Sequence, residues 1–302
     1  MITYSAIGQN KRRSVLLIFC FLLVIISLGY VFSRAYGQPS ILLFAVVFSS
    51  VSALMSYYFS DSITLAMSHA KEISRQSHQE LFRVVENLSI AGGLPLPRIY
   101  VIDDTAINAF ATGRDPRHAV VCVTTGALTR LNKVELEGVL AHELSHIGNY
   151  DIRFMTLVVV LVGIITLLAD WFFRIGVWGG RRRSNDREGG NNQIFAIVGI
   201  VLAILSPIIA TLIQLAVSRQ REYLADASGS LLTRYPEGLA SALEKIAQDT
   251  EALEVANKAT AHLYIASPFH LDSKQKTGWL VNLFNTHPPL QDRIKRLREM
   301  NL

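Results

Sequence analysis

The sequence predicts a predominantly helical α+β protein: four helical membrane spans joined to a water-facing domain that contains a small β-sheet. Three observations carry this. Of 302 residues, 50 % are hydrophobic and only 18 % are charged, with a mean hydropathy of +0.31. A soluble domain averages about 25 % charged residues. The deficit excludes a disordered chain, which needs low hydrophobicity and high net charge, and argues against a purely soluble protein. Second, the apolar residues gather into four runs almost free of charge. Third, the remaining chain alternates between helical periodicity and short β-like stretches. Cys20 and Cys122 are too few for a disulfide framework or a cysteine metal site.

Lys11, Arg12 and Arg13 precede an uncharged run over residues 14–33. As a helix this run is about 30 Å long, the thickness of the hydrocarbon core. A cleaved signal peptide is the competing reading, but the run exceeds the usual apolar core and no small-residue cleavage pattern follows it. Kept as an anchor, its basic flank places the N-terminus in the cytoplasm. Gly37, Gln38 and Pro39 interrupt the pattern before a second span over 40–59. Residues 1–60 therefore read as a cytoplasmic stub and a transmembrane hairpin.

Residues 61–151 read as the first part of the water-facing domain. Helical spacing over 61–91 ends at Gly92 and Gly93, a C-terminal stop. Residues 98–102, 107–111 and 119–123 read as short buried strands, and 134–150 returns to helix. Residues 152–217 read as a second transmembrane hairpin. Its first run, 154–169, is short but extended by Trp171, Phe172 and Phe173 as interfacial aromatics. Its second, 194–217, is kinked at Pro207. The basic loop 174–193 between them faces outward if both runs cross, against the positive-inside bias. The alternative is that both runs enter partway and turn back. Residues 218–302 read as the helix-rich second part of the same domain. The overall charge of +5 fits loops facing anionic lipid headgroups. Nucleic-acid binding is not expected, because the arginine cluster lacks aromatic interleaving.

The decisive residues are His142, Glu143, Leu144, Ser145 and His146, an H-E-x-x-H motif in a helical pattern. Positions four apart lie on one helix face, one turn above the other. Two imidazoles so placed suit one zinc ion, and Glu143, rotated by about 100°, sits beside the metal as a base for water. An accidental match appears in roughly one chain in a hundred of this length. A catalytic zinc needs a third protein ligand. Glu222 is the candidate, because it directly follows the fourth run as the histidines precede the third; the alternative is a solvated surface charge. Asp226 lies one turn beyond it, placed to accept a hydrogen bond from a ligand histidine; the alternative is a salt bridge to Arg219 or Arg221. His69, His78, His118, His262 and His270 have no ligand spacing to a partner.

H-E-L-S-H together with S-R-x-R-E-Y-x-A-D (218–226) closely resembles the HtpX family of membrane-embedded zinc metalloproteases, relatives of the CAAX prenyl endoproteases. The likeness extends to Asn108-Ala-Phe-Ala-Thr-Gly113, Val123-Thr-Thr-Gly126, Thr286-His-Pro-Pro289 and Arg293-Ile294. It implies a zincin-like metalloprotease domain facing the cytoplasm of a bacterium, in the inner membrane. It implies one zinc ion held by His142, His146 and Glu222, with Glu143 as catalytic base or acid. It implies polypeptide substrates, damaged or misassembled membrane proteins. His287, held by two prolines, is the candidate donor to the oxyanion, or else a cap of the final helix. Asn108, Ala109 and Phe110 form a candidate strand for pairing with an extended substrate, or else a buried structural strand. The competing functions are a CAAX-type processing peptidase and a zinc-binding transporter or receptor.

Overall fold

The computed structural model describes residues 2–179, 219–251, 253, 260, 263–266 and 288–300. The fourth apolar run, most of the basic loop, His287 and the side chains of Trp171, Phe172 and Phe173 lie outside the described residues.

Two helices, α1 (Ile2–Tyr36) and α2 (Ser40–Met67), form an antiparallel hairpin, and both are long and apolar enough to cross a membrane. Gly37 makes the reversal at φ +64°, in the left-handed region that glycine enters freely. The faces divide by periodicity. Leu17, Phe21, Ile25 and Phe32 of α1 are buried against Phe154, Leu157, Val158 and Leu161 of helix α6 (Asp151–Gly179). Val15, Leu16, Phe19, Leu43 and Phe44 point outward, as lipid-facing side chains do.

The helix expected over 61–91 is not continuous. Helix α2 runs on to Met67, a two-residue strand β1 (Lys71–Glu72) follows, and α3 (Gln79–Gly92) starts anew. His69 stands at φ 51°, which ends α2. Ser74 and Ser77 then hydrogen-bond to each other and to the local backbone, offering it an alternative to helix. Helix α3 stops where expected, with Gly93 at φ +62° as its left-handed cap.

The sheet has the order β1-β2-β4-β3. Strand β2 (Arg98–Ile102) runs parallel to β4 (Ala119–Thr124), and β3 (Ala109–Gly113) pairs antiparallel with β4 at the far edge. The third strand begins two residues later than its apolar pattern. Ile107 N–H is taken by Asp249 Oδ2 at 2.8 Å and Asn108 N–H by Thr124 Oγ1 at 3.0 Å, so both stay out of the ladder.

A short α4 (Thr125–Arg130) leads to α5 (Lys133–Gly148), which carries the H-E-x-x-H residues. Asn132 and Glu135 form a reciprocal capping box at its start. The main core joins α3, the sheet, α5 and α8 (Pro236–Gln248) through Val85, Ile99, Val121, Leu140, Leu144 and Leu243. Helix α7 (Arg219–Thr233) lies across α5, and α9 (Leu290–Arg298) packs on α7 and α8. Helices α5 and α6 meet at an 83° bend, with Tyr150 at φ 60° in the corner.

Candidate metal centre

Helix α5 turns His142, Glu143 and His146 inward, and all three are buried. Helix α7 meets it at Gly229. A Cβ on Gly229 would lie 2.9 Å from the His142 backbone nitrogen, so glycine permits this separation and no other residue does. The crossing brings Glu222, two turns earlier on α7, to the histidines. Gly229→Val is therefore expected to drive α7 off α5 and lose the metal; metal analysis of the purified variant checks this, and parental metal content would contradict it.

The ring atoms converge. His142 Nε2 and His146 Nε2 stand 3.1 Å apart. Glu222 Oε2 is 3.7 Å from the first and Oε1 is 3.6 Å from the second. Ligands about 2.0–2.1 Å from a tetrahedral zinc are separated by roughly 3.3 Å. One atom from each of the three residues lies within 4.8 Å of the others. The donor chemistry fits as well as the spacing. His142 Nδ1 is 2.9 Å from Asp226 Oδ1, and His146 Nδ1 is 3.0 Å from Asp151 Oδ2. Each carboxylate takes an Nδ1–H, which leaves a lone pair on each Nε2. Two lone pairs and a carboxylate facing one point, buried, are a receptor for a cation.

Arg293 of α9 was not legible as a site residue beyond its place in the resemblance. It is fully buried, and its guanidinium forks onto Asp226 through Nε at 2.9 Å and Nη2 at 2.6 Å. Its Nη1 donates to Ile265 O at 2.9 Å and lies 3.6 Å from Glu222 Oε2. Asp226 thus pairs with Arg293, not with the nearer Arg219 or Arg221. Asp151 was also missed, although it stands only five residues after His146, at the first position past the corner.

Burial holds the His142 pKa below its usual value, with Asp226 opposing and Arg293 reinforcing. Burial acts the same way on His146, but the Asp151 hydrogen bond and the charges of Glu222 and Glu143 outweigh it and lift the value to about 9. Without a metal, a proton on His146 stands in for the cation. Burial pushes the Glu143 carboxyl up to about 7, against the His146 and Arg293 charges and a hydrogen bond from Ala111 N–H. In the metal-free cluster the carboxyl therefore keeps its proton up to near-neutral pH.

The candidate strand borders this cluster. Phe110 points to the far side of β3, stacked edge-on against Tyr264, in the core shared with Ile102 and Cys122. The outer edge carries Ala109 O, which accepts from Ile265 N–H at 3.0 Å, and Ala111 N–H, which faces Glu143 and helps to hold its pKa down. Asn108 reaches the Ala266 carbonyl at 3.4 Å.

The model of peptidase family M48 matches residues 75–301. This chain belongs to peptidase family M48. Its similar relatives include the protease HtpX homolog of Tropheryma whipplei (strain TW08/27), 46 % identical over 98 % of this chain and 98 % of that protein. The protease HtpX homolog of Dictyoglomus turgidum is 46 % identical, over 98 % and 94 % of the two chains. The crystal structure of S. mikatae Ste24p covers 97 % of this chain and 67 % of that one at a TM-score of 0.50 and 19 % identity, a likeness of fold. Within M48 the chain is an HtpX-type membrane metallopeptidase, in keeping with its H-E-L-S-H and S-R-x-R-E-Y-x-A-D residues. M48 membership implies a metal and polypeptide substrates, and the two apolar helices imply a bilayer.

Proposed function

We propose that this M48 protein is a zinc endopeptidase of the bacterial inner membrane that degrades damaged or misfolded membrane proteins, its site facing the cytoplasm. The observation that carries the metal assignment is the pair of Nδ1–carboxylate contacts, which turn both Nε2 lone pairs toward Glu222. In this reading His142, His146 and Glu222 hold one zinc ion, and Asp226 fixes the His142 tautomer. Zinc, when bound, supplies Lewis acidity to water and to the scissile carbonyl. Glu143 takes the proton of the attacking water on its carboxylate and returns it to the leaving amine. His287 is the donor to the oxyanion. Pro288 and Pro289 then lead directly into α9.

Substrate is held by backbone, along β3. Ala109 O exchanges the Ile265 N–H for a substrate N–H, and Asn108 and Phe110 keep the strand in register from its other side. Pairing of this kind reads extended conformation more than sequence, which suits a broad clearance role. The cytoplasmic orientation is supported by Lys11, whose ammonium lies 4.3 Å over the Tyr150 ring. The basic end of α1 therefore sits at the level of the catalytic helix, and basic flanks stay inside.

The test is zinc content and cleavage of an unfolded protein such as casein by the full-length enzyme, with Glu222→Ala as control. The variant should lose both. Parental zinc in that variant would sink the ligand assignment. Prenylated and unprenylated peptides digested side by side separate clearance from CAAX-type processing, which would cut the prenylated one preferentially. The pH dependence has a definite sign. The raised His146 pKa means that its proton stabilises the metal-free fold fully below the unfolded value, and that this is lost as pH rises through about 9. Zinc must expel this proton, so zinc affinity should fall roughly tenfold for each pH unit lowered from 8 to 7. Chelator competition measures this, and a flat profile would contradict it.

A further inference from the structure

Asn10 lies on α1, the first membrane helix, and far from the centre in sequence. It heads the face that packs on α6, since Asn10, Ser14, Leu17, Phe21 and Ile25 are all buried and recur at helical spacing. Asparagine is a weak helix former, and a buried amide must find partners for its protons. Both are found at the corner between α5 and α6. Asn10 Nδ2 donates to Asp151 Oδ1 at 2.6 Å and to Asn149 O at 3.0 Å. Both partners are acceptors, which fixes the amide with its nitrogen toward the corner. The other oxygen of Asp151 receives His146 Nδ1. One carboxylate is thus clamped between a membrane-helix amide and a histidine of the metal centre.

We infer that Asn10 is a positioning residue of the metal centre, holding the Asp151 carboxylate in the orientation that aims His146 Nε2 at the ion. The inference rests on the ligand role proposed for His146. It makes the first membrane helix part of the catalytic apparatus as well as an anchor. The amide acts only through Asp151, and touches neither metal nor substrate.

A reciprocal swap tests it. The full-length protein is purified in detergent with Glu143→Gln throughout, to prevent self-digestion, and its zinc is titrated against a competing chelator. Asn10→Asp sets carboxylate against carboxylate, and Asp151→Asn sets amide against amide. Each should weaken zinc retention on the order of tenfold, as loss of an outer partner does. In the double variant the amide introduced at 151 accepts the His146 N–H and donates to the carboxylate introduced at 10, while the Asn149 carbonyl loses its donor, so retention should recover in part, above either single variant. Asn10→Leu, which only removes the donor, should also weaken it. Leu17→Ala loosens the same helix face without touching the network and should keep its zinc. Parental retention in Asn10→Asp, no recovery in the double variant, or an equal loss in Leu17→Ala would overturn the inference while His146→Ala still loses zinc. A parental protein without zinc would overturn the ligand assignment, and this inference with it.

Discussion

Glu143→Gln is expected to leave zinc in place and to lower peptide hydrolysis by about 10²–10⁴-fold, the range for loss of a general base. The amide has the shape of the carboxyl and still offers an oxygen to Ala111 N–H, so the α5–β3 contact survives. What it lacks is a site for the water proton. Burial has a second effect. A carboxyl whose pKa is raised to about 7 stabilises the metal-free fold while it keeps its proton, and that contribution is lost as pH rises through about 7. The amide never ionises, so the metal-free variant should melt above the metal-free parent at pH 8. A gain in stability with a loss of activity is common where a site holds a buried charge. Casein cleavage, zinc content and melting temperature decide the matter. Undiminished cleavage by a zinc-loaded Glu143→Gln enzyme would end the assignment of Glu143 as the base.

Arg293→Met is expected to cost about 3–5 kcal/mol, the usual penalty for leaving a buried charge without its partner. Both Asp226 and Glu222 face the vacated position, so two carboxylates lose their cation together. Native stability is only about 5–15 kcal/mol, and the variant should accumulate poorly and melt early. Adding Asp226→Asn removes one stranded charge and should recover part of the loss. Arg293→Lys keeps the charge but not the fork that spans both Asp226 oxygens, so it should fall between. A melting temperature unchanged in Arg293→Met would show that the guanidinium is not structural.

The site was legible where its geometry is local. His142 and His146, and likewise Glu222 and Asp226, stand four apart on single helices, and that spacing alone places each pair on one face. Arg293 meets Asp226 across 67 residues, and no periodicity encodes such a meeting. Asp151 meets His146 across the corner between two helices, five residues on, a spacing that no single-helix periodicity places on one face. In the fold, the hairpin break at Gly37 and the stop at Gly93 carried backbone signals strong enough to read. The split of the 61–91 helix did not, because its cause is a serine-rich turn within a good amphipathic pattern. The late start of β3 was hidden for a similar reason, since Asp249 and Thr124 capture the amides of Ile107 and Asn108 from distant parts of the chain.

The occupied edge of β3 bears on which proteins this enzyme can attack. With Ile265 already bonded to that edge, an incoming chain must displace that backbone bond and forgo its own. A segment held in its native sheet or helix gives up as much as it gains. A segment already open gives up nothing. On the proposed pairing, cleavage at a given bond then follows the free energy of opening that region of the substrate. The proposed clearance of damaged proteins then needs no damage-specific pocket: the thermodynamic fragility of the target serves as the signal.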